Sequence, residues 1–236
     1  LDKIGSDRKA EAFELLQKMA KTDKNSHVRG AALTALASDF FRGEYAETTR
    51  VLLTHAIEKD SSYHVISRAL NGLTKGNEAD LQNALKLAKT LETERSSALK
   101  AQIIGIYKNH GDESHLEFMA NAITSGDISG YDAIGGLLNF TAAVKAQEIK
   151  VQEQYLPVFE QLSNNGGAYI NMVLPMSVLN LKRGADETVS SLKNELKTLE
   201  EEGKSGEATV VQGKLNAAEN YTGQLGKLLQ KVEHFF

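Results

Sequence analysis

Asp23-Lys-Asn-Ser-His27-Val28-Arg29-Gly-Ala-Ala32-Leu33-Thr-Ala-Leu36 returns 37 residues later as Asp60-Ser-Ser-Tyr-His64-Val65-Ile66-Ser-Arg-Ala69-Leu70-Asn-Gly-Leu73. Asp, His, Val, Ala, Leu and Leu hold their places in both copies. An internal period of this length marks stacked two-helix units, each too small to bury its apolar face alone. Such an array points to a surface for partners, or to one part of a larger machine, ahead of a self-contained enzyme.

Composition agrees. The 236 residues include two prolines, no cysteine and no tryptophan. Good helix formers are abundant, and no segment alternates polar and apolar residues for long. The expected class is all-α. A net charge of −4 and a pI near 5.9 supply no basic footprint for nucleic acid. The lack of cysteine excludes disulfides and thiol catalysis without fixing a compartment. No apolar run approaches the roughly 20 residues that cross a bilayer. Leu1-Asp-Lys-Ile4-Gly5 reads like a helix tail closed by a glycine, so the chain is expected to be a piece of a longer protein.

Working outward from the repeat gives helix pairs. The first joins about 7–21 (Phe13, Leu16, Met19 and Ala20 on one face) to about 25–40 (Val28, Ala32, Leu33, Leu36), with Asn25 or Ser26 as N-cap. The second joins about 45–59, with Val51, Leu52, His55 and Ala56 inward, to about 62–75. The third joins about 78–91 (Leu81, Leu85, Ala88) to about 94–109, where Ala98, Ile103 and Ile106 take the places of Val65, Leu70 and Leu73 at a spacing shortened to 33. The fourth joins about 113–125 (Leu116, Met119, Ala122, Ile123) to about 128–145, around Leu137 and Phe140.

The fifth pair joins about 146–163 to about 167–183. Pro157 and Pro175 are each expected to kink their helix by removing a backbone donor. Tyr169 to Leu181 is the most apolar stretch of the chain. Near 186 the sequence turns more charged, with Leu192, Leu196 and Leu199 on one helix. A Gly/Ser turn at 203–206 follows, then a helix bearing Val211, Leu215, Ala218, Leu225, Leu228 and Val232. The expected organisation is helical repeats over 1–185 and a C-terminal hairpin over 186–236 that caps the last core layer.

The search for chemistry yields little. His27, His55, His64, His110, His115 and His234 form no HExxH. His110 and His115, five apart across a turn, fall on different faces and make a poor metal pair. His27 and His64 hold equivalent repeat positions in the first turn of a second helix; a structural role is expected, with lining of a binding groove as the alternative. GxSxG, P-loop and GxGxxG motifs are missing. Gly135-Gly136 costs roughly 1 kcal/mol per glycine within a helix and suggests close helix packing. Gly166-Gly167 reads as a loop, Glu200-Glu201-Glu202 as a solvated run, and the mid-helix sequon Asn220-Tyr221-Thr222 as chance. No catalytic, cofactor-binding or metal-ligating residue is assigned.

The stretch 23–36 resembles the second helix of a HEAT repeat, with 60–73 as its weaker copy. The resemblance covers 7–145, and 146–183 by helix pattern alone. It implies an α-α superhelix, a right-handed solenoid of antiparallel helix pairs. It also implies a ladder in which an Asp such as Asp23 and an Arg such as Arg29 link successive units. Ile66 replaces that Arg in the second copy, leaving Arg68 as a nearby substitute.

Irregular HEAT-like pairs followed by a polar final hairpin also resemble the C-terminal helical domain of M1-family zinc aminopeptidases. That resemblance implies a non-catalytic domain covering an active site and limiting peptide access, with zinc held by a separate catalytic domain of the same polypeptide. Peptide substrate and that catalytic domain are then its partners. The alternative is a HEAT-repeat scaffold holding a protein partner on its concave face.

Overall fold

The structure is a computed structural model that describes residues 6–233, with side chains from Arg8 onward. Among the described residues it is all-helical. The chain divides into two compact units, Leu1–Asp112 and Glu113–Phe236.

The first unit holds α1 (Ser6–Thr22), α2 (Ser26–Asp39), α3 (Ala46–Lys59), α4 (Tyr63–Leu73), α5 (Glu78–Thr90) and α6 (Ser97–His110). Helix α1 packs on α2, α3 on α4, and α5 on α6, while the second helices α2, α4 and α6 pack in series. The recurring polar residues build the helix starts. Asp23 accepts the Asn25 N–H at 2.8 Å, and Asn25 accepts the His27 N–H at 2.9 Å. One period on, Asp60 accepts the Ser62 N–H at 2.9 Å. Ser96 caps α6 by accepting from the Leu99 N–H.

Those caps correct the repeat spacing. Asn25, Ser62 and Ser96 are the N-cap positions, so the period runs 37 and then 34, not 33. The buried residues of α4 are Val65, Ile66, Ala69, Leu70, Gly72 and Leu73. Those of α6 are Leu99, Lys100, Ile103, Ile104, Ile106 and Tyr107, the same set displaced by 34. Ile104 and Tyr107, rather than Ile103 and Ile106, therefore replace Leu70 and Leu73. In α3 the expected face is also rotated. Thr49, Leu52, Leu53, Ala56 and Ile57 are buried, whereas Val51 and His55 are exposed. The core of the first pair includes Phe13, Ala32, Leu33 and Leu36, with Phe13, Phe40 and Tyr45 in ring contact at its end.

The second unit holds α7 (Leu116–Thr124), α8 (Gly130–Lys145), α9 (Ile149–Gln154), α10 (Leu156–Asn165), α11 (Gly167–Glu201) and α12 (Ser205–Val232). Leu116, Met119, Ala122, Ile123, Leu137 and Phe140 are buried as expected. Pro157 does not kink a helix: it lies in the first turn of α10, where its missing N–H would lack an intrahelical partner anyway. The expected helix over 146–163 is thereby split into α9 and α10. Pro175 lies inside α11, which continues past it.

Helix α11 also runs unbroken through 186, where a new helix was expected, and spans 35 residues. It packs with α8 and α10, and most extensively with α12. Leu192, Leu196 and Leu199 meet Ala208 and Val211 near the tip of this hairpin. Further along α12, Leu215, Ala218, Tyr221, Leu225, Leu228 and Val232 are buried.

Candidate functional site

In the first unit, the period places equivalent side chains against one another across the α2–α4 seam. The His27 and His64 rings lie 4.5 Å apart between centroids, tilted by 50°. His27 is exposed and His64 half-buried. Room for the His64 ring comes from Gly30: a Cβ there would stand 2.9 Å from its Cδ2, closer than a side chain tolerates. Burial foremost, then the positive charge shared with His27 and Arg68, pulls the His64 pKa below its ordinary value. At neutral pH the seam therefore holds a neutral His64 ring. This contact gives the equivalence of the two histidines a structural basis.

Beside the rings, Arg29 reaches the next pair. Its Nε donates to Asp60 at 2.7 Å and its Nη2 donates to the other carboxylate oxygen at 2.8 Å. Its Nη1 donates to the Asp23 carbonyl at 2.9 Å. The Arg29 guanidinium, ahead of the Ser62 N–H, holds the Asp60 carboxyl below the usual carboxylate range. Asp60 stands where Asp23 stands in the first copy. The recurring Asp thus braces its own helix start and receives the arginine of the preceding unit, a planar two-point pairing that arginine favours.

A second link escaped sequence reading. Arg50 on α3 donates to Asp80 on α5 and to Glu47. Asp80 also accepts the Asn77 N–H at 2.9 Å, completing a capping box. A Cβ at Gly76 would overlap the Asp80 side chain, so any other residue there would displace that carboxylate. The Asn77/Asp80 spacing was a readable capping signal; Arg50, 30 residues earlier, carried no sign of it. Tyr63 and Tyr107 donate to Glu94 at 2.7 Å and Glu92 at 2.8 Å, tying α4 and α6 to the loop before α6.

His110 closes α6 in the first unit and His115 precedes α7 in the second. His234 lies outside the described residues. Among those described, no group of three or more His, Asp or Glu is placed to hold a metal ion. Gly136 is buried within α8, but a Cβ at Gly135 would meet nothing within 4 Å, so close packing does not demand that glycine. Gly166 separates α10 from α11, and Gly167 opens α11 with φ of 68°. Glu200, Glu201 and Glu202 are exposed at the end of α11. Asn220 is exposed mid-α12 beside the fully buried Tyr221. No described helix is long and apolar enough to cross a membrane.

The second unit carries a different feature. Helices α8 and α11 run side by side in the same direction: Tyr131 touches Tyr169, ring centroids 5.6 Å apart, and Lys145 donates to Asn180 at 3.2 Å. Their outer faces expose Tyr131, Leu138, Tyr169, Met172 and Met176. Not one charged residue occurs in α11 from 167 to 181. A cavity of about 250 Å³ adjoins this face, lined by Gly130, Gly166, Gly167 and Tyr169 among others.

No family model, curated protein or solved structure matches the chain.

Proposed function

We propose that the chain is a non-catalytic HEAT-like domain whose helix pairs wind into a right-handed superhelix, and that it works as the C-terminal covering domain of an M1-like zinc aminopeptidase. In this reading it lies over the active site of a catalytic domain on the same polypeptide and limits which peptides enter. The observation that carries the HEAT-like part is the Arg29–Asp60 link. It joins the Arg and Asp of the motif between successive units, as a HEAT ladder does. The unequal spacing of the units, 37 and then 34, supports a domain moulded to one neighbour. So does the fusion of the last pair's second helix with the final hairpin in α11.

Two measurements test the proposal. The reading frame upstream of Leu1 should encode a domain containing HExxH; a frame without one sinks the peptidase reading. The purified chain should hydrolyse no aminoacyl-p-nitroanilide and retain no stoichiometric zinc. Activity or one tightly held equivalent of zinc would move the chemistry into these residues. The second reading, a free-standing interaction scaffold, is favoured by the exposed apolar side chains of α8 and α11.

A further inference from the structure

The exposed apolar residues of this protein are unevenly placed. Of the nine large hydrophobic side chains exposed among the described residues, five are on one face of α8 and α11. Tyr131 is 82% exposed, Met172 63% and Met176 60%. Together the five leave about 600 Å² of side chain in water, taking roughly 200 Å² for each when fully exposed. That is at the upper end of what a monomer ordinarily shows, about 300–600 Å².

We propose that this face is a self-association surface, on which a second copy of this chain docks about a twofold axis, its α11 lying antiparallel to the first. Three properties select a second copy. First, the α11 part of the seat carries no charge from 167 to 181 and needs an uncharged partner, because a charge buried against it would go unpaired. The same α11 face of a second copy meets that need.

Second, the spacing is self-complementary. Tyr169, Met172, Val173 and Met176 follow the seven-residue seam pattern of paired helices. Read in the opposite direction they pair as Tyr169 with Met176 and Met172 with Val173, as an isologous contact requires. On α8, Tyr131 touches Tyr169, and Tyr131 and Leu138 repeat the same seven-residue pitch. The open space over Gly135 between them can receive a side chain of the second copy.

Third, the area suffices. Two such faces bury about 1,200 Å² in total, the lower bound for specific interfaces. Tyrosine and methionine are the residue types that interface centres enrich. The proposal is independent of the aminopeptidase reading and uses only the second unit.

Sedimentation equilibrium of the whole chain, from micromolar to tenths of millimolar protein, tests it. A concentration-dependent dimer is expected. The M172E/M176E double variant should weaken self-association at least about tenfold, with helicity unchanged and the thermal midpoint equal to the parent's at concentrations where both are monomeric, because both residues face solvent in the single chain. Leu15→Glu, at an exposed apolar site on α1, should leave the dimer intact. Peroxide oxidation of the unmodified chain, mapped by mass spectrometry, reads the face without a variant. Met172 and Met176 should oxidise more slowly as the concentration rises, whereas buried Met119 should not respond. A monomer throughout, a dimer indifferent to the double variant, or oxidation at Met172 and Met176 independent of concentration would overturn the proposal. Any of these would leave the face to a different macromolecule.

Discussion

At the scale of single residues, two groups on the α2–α4 seam make stability depend on acid. Asp60 holds two hydrogen bonds from Arg29 and one from the Ser62 N–H. Its pKa is lowered by folding, so its contribution is present above the unfolded carboxylate range near pH 4 and is lost as pH falls through the folded value. Asp60→Asn should destabilise by about 1.5–3 kcal/mol at neutral pH, the range for a hydrogen bond to a charged group. Urea unfolding should show that difference shrinking once the native carboxylate is protonated. His64 acts in a higher window. Its pKa is also lowered, so the unfolded chain takes up the proton first. Stability is full above about pH 6.5 and declines as pH falls below that value toward the folded pKa. Urea midpoints at pH 7.5 and 5.5 should differ less in His64→Gln than in the parent chain. An equal loss in both would remove His64 from the response.

At the scale of helices, burial decides which substitutions matter. Leu33 and Leu70 are 1% and 0% exposed, and Ile104 occupies the corresponding site of α6. Leu33→Ala and Leu70→Ala should each cost about 2–5 kcal/mol. Val51, 57% exposed on α3, should tolerate alanine within about 0.5 kcal/mol. Chemical denaturation of the three variants checks the face assignment; a large loss at Val51 with small losses at the leucines would reverse it. The helix pairs, most of the inward residues and the Asn25 cap were legible because each is encoded within one or two turns. The α3 face was misplaced because Val51 and His55 fit the helical period as well as Leu53 and Ile57 do. The shift to 34 was missed because Ile103, Ile104 and Ile106 offer apolar side chains in both registers of α6, and the Ser96 cap separates the two. Pro157 was misread because its effect depends on where a helix begins, and the break at Tyr155 has no strong signal of its own.

At the scale of the whole molecule, local pattern was readable and long-range pairing was not. The partner of Arg29 lies 31 residues away and that of Arg50 lies 30. Sequence supplies the charges in such links, but not which of several acids each arginine reaches. The continuity of α11 was hidden for a related reason. Its composition changes near 186 because the second half presents a narrow apolar row to α12, not because the backbone breaks. That continuity gives the second unit a mechanical member. At 1.5 Å rise per residue, its 35 residues form a shaft about 50 Å long. Tyr169, Met172 and Met176 sit at one end, and the turn at Gly203 lies beyond the other. A load on the hairpin tip reaches the aromatic end through one run of backbone hydrogen bonds whose only gap is at Pro175. The tip and the apolar face are therefore the two ends of one continuous helix, and Pro175 is the residue of that run that donates no backbone N–H.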